Sequence, residues 1–319
     1  MTRHIAIASL VTAGLLVGLS SPLLAQGRDR VLDAAAIYGD YVVTPNIVYM
    51  AADGYESKLD VHRPRASGAA RPTIIFIHGG GWVGGSKEGS MLAVLPYLAM
   101  GWAAVNVEYR MAQTAPAPSG VDDCRCALKW VFAHAKEYGF DTTKVVVSGQ
   151  SAGGHLALTT GILTSAAGFD DRCPTLGGPA SNAPVEDNPK VAAIVNWFGI
   201  TDVNDIIEGA NSRGYGVRWF AGVENKMALA KRVSPLAYVR PGLPPIITIH
   251  GDADPTVPYA QATRLRDALT KAGVTNELVT IPGGGHGNFV APQRDRAWTA
   301  IRAFLEKLSI PPQLPTAGQ

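Results

Sequence analysis

The chain reads as an α/β fold: a mostly parallel, doubly wound sheet with helices on both faces. Two observations predict this. Blocks at 73–77, 103–107, 145–147, 191–196 and 246–249 are apolar nearly throughout rather than at every second residue, which suits strands covered on both sides. Between them lie segments of helical period at 88–99, 121–138, 154–163, 259–272 and 294–308, so strand and helix alternate with right-handed crossovers. In 121–138, for example, Ala127, Val131 and Ala135 share a face from which Lys129 and Lys136 are excluded.

Ahead of this alternation, 42–63 reads as two short strands about the turn Asp53-Gly54, with apolar residues alternating in Leu59-Asp60-Val61-His62. Two stretches interrupt the rhythm. Residues 164–189 are rich in Gly, Pro, Asp and Ser, and 199–233 carry charges around Trp219 and Phe220. Each is too short for a core of its own, so both are expected as small cap-like insertions above the C-terminal edge of the sheet, where ligand sites form in such folds. The chain has 319 residues, enough for a sizeable core. Its expected division is a signal peptide over 1–25, a linker over 26–41, one α/β domain over 42–310 and a disordered tail over 311–319.

The leader follows from Arg3 and His4, the apolar run 5–19, and the small and apolar residues that lead to Ala25. The run is short for a bilayer span of about 20 residues. An uncleaved anchor is therefore the weaker reading, no stable membrane span is expected after cleavage, and the mature protein is expected in the periplasm or outside the cell. In such a compartment one disulfide is expected among Cys124, Cys126 and Cys173. Cys124 and Cys126 lie too close together for ordinary bridging, which favours a pair involving Cys173. The remaining thiol is expected buried and inert. Charged residues make up 17% of the chain and the formal net charge is +2, so no nucleic-acid footprint is present and small neutral or weakly anionic partners are expected.

The chemistry concentrates in four motifs. Lys144 to His155 runs from a strand through Gly149-Gln150-Ser151-Ala152-Gly153 into a helix, the context of a nucleophile elbow, in which small flanking residues let strand and helix pass closely. A serine hydroxyl needs a base and an orienting acid. The stretch "HGDADPTVP" supplies two carboxylates after another buried block: Asp252, placed to bond loop amides, and Asp254, farther round the loop and the preferred acid. "GGGHGNF" supplies His286 as the base, giving the chain order Ser, Asp, His. In "IIFIHGGGWVGG", glycines after a strand leave backbone N–H groups bare for a developing oxyanion. That hole would combine Gly80, Gly81 and Ala152. His78 is expected to brace the loop backbone, and Gly84 and Gly85 to allow a turn and tolerate side chains. The run lacks the lysine and glycine spacing of a phosphate loop.

Together, "HGGGW", "GQSAGGH", "HGDADPTVPY" and "GGGHGNF" resemble the α/β-hydrolase serine esterases of the hormone-sensitive-lipase-like group. The likeness is closest to the bifunctional feruloyl and acetyl-xylan esterase branch, whose Tyr-Arg pair and following acidic stretch are matched by Tyr109-Arg110 and Asp122-Asp123-Cys124. It covers roughly residues 46–308. The resemblance implies an α/β-hydrolase fold with Ser151 as nucleophile, His286 as base, Asp254 as acid and Gly80, Gly81 and Ala152 at the oxyanion hole; acyl and alcohol preference does not carry over, because the two insertions are where related enzymes differ. With the leader and an aromatic-lined site, the expected protein is an exported carboxylesterase for short-chain, acetyl or hydroxycinnamoyl esters, whose mechanism calls for no metal or organic cofactor. The substrate would be a small-molecule or polysaccharide-linked ester. Trp82, Tyr109, Trp197, Phe198, Trp219 and Phe289 are candidates for the pocket wall. Amide cleavage, as in prolyl-oligopeptidase-like peptidases or formamidases, is the second reading, and a non-catalytic binder on the same scaffold is the third.

Overall fold

In the computed structural model, the described residues are 34–66, 68–174 and 188–313. The expected signal peptide, the linker up to residue 33, residues 175–187 of the first insertion and residues 314–319 lie outside them. The chain divides into two units at Gly39. In the first, the described residues 34–39 are helical where the sequence suggested a linker.

The second unit is built on one eight-stranded sheet. A hairpin of β1 (Tyr41–Ala52) and β2 (Tyr55–Pro64) turns at Asp53-Gly54 and joins antiparallel to β4 (Ala103–Val107). From there β3 (Arg71–Ile77), β5 (Phe140–Gln150), β6 (Ala193–Trp197), β7 (Ile246–Gly251) and β8 (Asn276–Ile281) run parallel, in the spatial order β1-β2-β4-β3-β5-β6-β7-β8. Ile74 to Ile77, Val145 to Val147, Ile194, Val195, Ile246 and Ile247 are all buried. Both faces are therefore covered, which is why these blocks are apolar at consecutive positions. β5 starts earlier than its apolar block, because Phe140 already pairs with Arg71 of β3.

Helices fill the crossovers: α1 (Met91–Leu98), α2 (Ser119–Ala133), α3 (Ala135–Tyr138), α4 (Ala152–Ile162), α5 (Asn204–Ile207), α6 (Gly214–Trp219), α7 (Lys226–Arg232), α8 (Ala260–Lys271) and α9 (Ala291–Lys307). The single helix expected at 121–138 breaks at His134. Its apolar face survives, with Ala127, Val131 and Ala135 buried. The alternation in β2 would leave Asp60 and His62 on a wet face, yet both are buried. Asp60 is accommodated because it accepts the Lys87 ammonium at 3.0 Å and the Asn46 amide at 2.7 Å.

Of the first insertion, residues 164–174 and 188–189 are described, and none of these lines the cavities beside Ser151. Its described part is fastened to α2, through the Cys126–Cys173 disulfide and a two-pronged Arg125–Asp170 pair at 2.8 Å and 2.8 Å. Cys124 is free and buried, with its thiol pushed up by burial. Arg110 is fully buried, donates to Asp123 at 2.6 Å and also pairs with Asp53, which accepts Arg172 at 2.8 Å. Removing one member of such a buried pair strands the other and typically costs about 3–5 kcal/mol. The tail read as disordered from Pro311 is held through Gln313. Trp102 donates to the Pro311 carbonyl at 3.3 Å, and the Gln313 amide donates to Met100 at 2.6 Å.

Behind α4 an aromatic cluster joins the glycine loop to the second insertion. Trp82 stacks on Trp219 at 4.2 Å and donates its indole N–H to His155 Nδ1 at 3.2 Å. His155 Nε2 donates to the Val233 carbonyl at 2.7 Å, so the ring is the neutral tautomer protonated at Nε2. Burial, only partly offset by that carbonyl, depresses its pKa to about 4. An unfolded histidine titrates at about 6.5, so between these values the unfolded chain binds the extra proton. Stability from this group is complete above about pH 6.5 and is lost as pH falls toward 4. Urea melts at pH 7.5 and 4.5 should show a decline that His155→Gln reduces by about 3 kcal/mol; an identical decline in both proteins would refute the assignment.

Candidate active site

Because β3, β5, β7 and β8 are parallel, the segments that follow them meet at one edge of the sheet. Ser151 lies between β5 and α4 with φ 57° and ψ −121°. This conformation is rare for a side-chain-bearing residue, and residues so placed cost of order 1–3 kcal/mol. The turn is possible because a Cβ on Gly149 would sit 2.2 Å from the Gly153 carbonyl oxygen, and one on Gly153 would sit 2.1 Å from the Ile77 oxygen. Only glycine fits at this crossing. The Ser151 amide donates to the Trp197 carbonyl at 2.9 Å, tying the turn to β6.

The three sequence-predicted residues form one hydrogen-bonded chain. His286 Nδ1 donates to Asp254 Oδ2 at 2.7 Å, which leaves Nε2 as the acceptor for the Ser151 hydroxyl at 2.8 Å. Asp254 is buried, and its other oxygen accepts the amides of Thr256 at 2.8 Å and Val257 at 3.0 Å. Burial alone raises its carboxyl. Hydrogen bonds from His250, His286 and Val257 more than offset this and hold it well below the ordinary carboxylate range. Asp252 accepts the Gly283 amide at 2.7 Å, the loop-bracing task expected of it.

His250 was quoted in the sequence motif but given no role there. It is fully buried, and its Nε2 faces both the Val257 carbonyl at 3.0 Å and Asp254 Oδ2 at 3.3 Å. Asp254 thus receives two imidazoles. The signal available in the sequence was a histidine four positions before the acid, at the end of the preceding strand.

The glycine loop is braced from beneath. His78 Nδ1 donates to the Gly79 carbonyl at 2.7 Å, while Nε2 lies 3.2 Å from Glu108. Tyr109 stacks on His78 at 4.4 Å and donates to its carbonyl at 3.3 Å. The amides of Gly80, Gly81 and Ala152 donate to no other described residue. Gly80 (φ 117°) and Gly81 (φ 63°) are left-handed, and a Cβ on Gly81 would meet the Tyr215 Cβ at 2.7 Å. The tolerance expected at both later glycines holds only at Gly84, where the nearest atom to a Cβ is 4.0 Å away. Gly85 has φ 97°, and a Cβ there would lie 2.4 Å from the Gly79 oxygen and 2.7 Å from the His78 ring. It is a packing position under the loop.

A cavity of about 590 Å³ opens beside Ser151 and His286, walled by Gly80, Gly81, Tyr215, Phe198, Arg218 and Asn288. A smaller one of about 280 Å³ adjoins it through Gln150, Phe198 and Gly287 and is lined by Trp197, Phe289 and Trp298. Trp197 and Phe289 are therefore wall residues of the second cavity. Trp82, Tyr109 and Trp219 line neither and are fully buried. Each is held inside by a ring stack, with the positive φ of Trp82 (59°) turning its ring toward the interior. Tyr215, Arg218 and Thr256 line the first cavity without having been foreseen. Tyr215 and Arg218 come from the irregular second insertion, whose sequence carries no periodic signal.

Residues 59–269 match the family model BD-FAE, two thirds of the chain. The chain belongs to the BD-FAE family. Residues 225–316 also match the model of TAP-like proteins. Among curated relatives, the esterase LipC of Mycobacterium tuberculosis is 31% identical over 229 residues, covering 68% of this chain and 53% of that protein. The isoprenylcysteine alpha-carbonyl methylesterase of Arabidopsis thaliana is 23% identical over 252 residues, covering 76% and 56%. The chain thus spans about half the length of the curated relatives it matches. Among solved structures, the thermophilic esterase Est2 of Thermogutta terrifontis shares the α/β-hydrolase fold, with a TM-score of 0.67 at 28% identity over 88% of this chain and 96% of that one. Its butyrate-bound form gives a TM-score of 0.68 at 27% identity, covering 87% and 97%.

The loop geometry separates the glycines of this BD-FAE chain by experiment. The rate at which a fluorophosphonate labels Ser151 should fall about tenfold or more in Gly81→Ala, in which both strain and Tyr215 oppose the substitution. It should stay within about twofold in Gly84→Ala. Gly85→Ala should behave like Gly81→Ala and also lower the melting temperature. Equal labelling rates in all three would overturn this reading of the loop.

Proposed function

We infer that this chain is an exported serine-dependent carboxylic-ester hydrolase, acting through an acyl-enzyme on short-chain, acetyl or hydroxycinnamoyl esters. The observation that carries the reading is the unbroken chain from Ser151 Oγ through His286 to Asp254, open to a cavity beside bare loop amides. In this mechanism His286 Nε2 takes the Ser151 proton as the hydroxyl attacks the ester carbonyl, and Asp254 stabilises the imidazolium that forms. The amides of Gly80, Gly81 and Ala152 receive the oxyanion. His286 then gives its proton to the departing alkoxide. Water, deprotonated by the same imidazole, attacks the acyl-enzyme and releases the acid.

The names of the relatives support ester over other acyl chemistry, and the propionate and butyrate complexes of Est2 support short acyl groups. The cavity volume falls within the usual range for small ligands. With para-nitrophenyl acetate, methyl ferulate and acetylated xylan as substrates, Ser151→Ala is expected to lose about 1,000-fold or more in kcat on whichever esters the wild type cleaves. Equal inactivity of both proteins on all three would sink the ester reading. Turnover of an aminoacyl anilide but not its matched ester would replace it with amide cleavage.

Export is supported by the leader-like residues 1–25 and by the Cys126–Cys173 disulfide, which suits an oxidising compartment. Intact-mass measurement of the protein recovered outside the cytoplasm should give a chain beginning near Gln26. Recovery of the uncleaved chain in the cytoplasm alone would refute export.

A further inference from the structure

The wall beside Ser151 is almost free of charge. Among the described residues, no Asp or Glu lines the larger cavity, and Arg218 is the only permanently charged one that does. Asp254 is fully buried behind His286, so it presents no counter-charge to the cavity. Other arginines of the second insertion are spent on the fold. Arg213 donates to the carbonyls of Thr256 and Ser212, and Arg232 donates to Ala167 and covers the Phe169 ring. Arg218 is exposed and makes no ion pair or side-chain hydrogen bond among the described residues. It stands one helical turn from Tyr215, whose side chain packs under Gly81 and donates to the Thr256 carbonyl at 3.2 Å. The base of Arg218 is thereby seated on the same braced loop system as the candidate oxyanion amides. Among the described residues, the smaller adjoining cavity likewise has an arginine, Arg294, and no acid in its wall, although Arg294 already donates to the Phe289 carbonyl at 2.7 Å.

We propose that Arg218 selects esters that carry a carboxylate elsewhere on the molecule, pairing with that carboxylate while the scissile carbonyl lies at Ser151. A guanidinium is always charged and presents a planar fork that matches a carboxylate. A lone positive charge on a cleft wall also raises the local concentration of anions. Arg218 acts here on substrate choice and takes no part in proton transfer. The proposal rests on the ester-hydrolase reading for its substrate class, and the carboxylate can belong to either the acyl or the alcohol half.

The test compares kcat/KM within matched pairs: the para-nitrophenyl hemiester of succinate against para-nitrophenyl butyrate for the acyl side, and 4-acetoxybenzoate against its methyl ester for the alcohol side. In Arg218→Gln the anionic-to-neutral ratio should fall about fivefold in at least one pair, and further in Arg218→Glu, and added salt should weaken the wild-type preference. The affected pair names the half that carries the anion. Ratios unchanged in both pairs in Arg218→Glu would overturn the proposal, and because each ratio is taken within one protein, partial misfolding cancels. A calorimetric arm keeps the two readings apart. Monoethyl succinate and diethyl succinate are titrated into Ser151→Ala protein with and without Arg218→Glu. An Arg218-dependent preference for the monoanion supports the pairing even where the wild type cleaves no ester, an outcome that would defeat the ester reading alone. No such preference in the binding arm, with unchanged ratios, would end the proposal.

Discussion

Ser151 adopts a left-handed backbone at the tip of β5, and most of the surrounding architecture exists to hold it there. That turn brings α4 back across β3 so tightly that the Gly153 Cα faces the carbonyls of Ile77 and His78. The crossing locks β5 to the start of the glycine loop. Strain of this kind persists only where the neighbours over-determine the conformation. Here the neighbours are the β6 carbonyl of Trp197, the β3 carbonyls and the first turn of α4.

The same tightness propagates outward through the glycine loop. Its lower side is occupied by the His78 ring, which is fixed by Tyr109 and Glu108, and Gly85 must pass directly over it. Beyond, Trp82 turns inward and stacks on Trp219, so the second insertion is attached to the loop it covers. This explains how a segment without regular periodicity can still present Tyr215 and Arg218 at defined places. On the far side of the elbow, Asp254 is kept ionised by two imidazoles and two loop amides, which suits it to orient His286.

Much of this is legible in the amino-acid sequence. Strand blocks apolar on consecutive positions identified the doubly covered sheet, and the motifs of Ser151, Asp254 and His286 each follow an expected strand, observed as β5, β7 and β8. Of the two carboxylates in the same motif, Asp254 bonds His286 and Asp252 a loop amide. The aromatic candidates were less legible. Trp197 and Phe289 reach a cavity wall whereas Trp82, Tyr109 and Trp219 do not, since a ring next to a motif can face the site or the core with equal local propensity. Glycines were similarly ambiguous. Gly84 and Gly85 are adjacent in the chain, yet one faces open space and the other a histidine ring.

The division follows the range of the forces involved. The tight strand-to-helix turn at Ser151, a hairpin at Asp53-Gly54 and a helical face such as Ala127, Val131 and Ala135 are steric or periodic demands that act over a few residues, so the amino-acid order expresses them directly. Which cysteine Cys126 would find, how His286 reaches Asp254 and Ser151, and that Arg218 has no partner among the described residues depend on crossings between segments tens of residues apart. Those crossings are settled by packing the whole sheet and its insertions at once, and only the folded chain contains them.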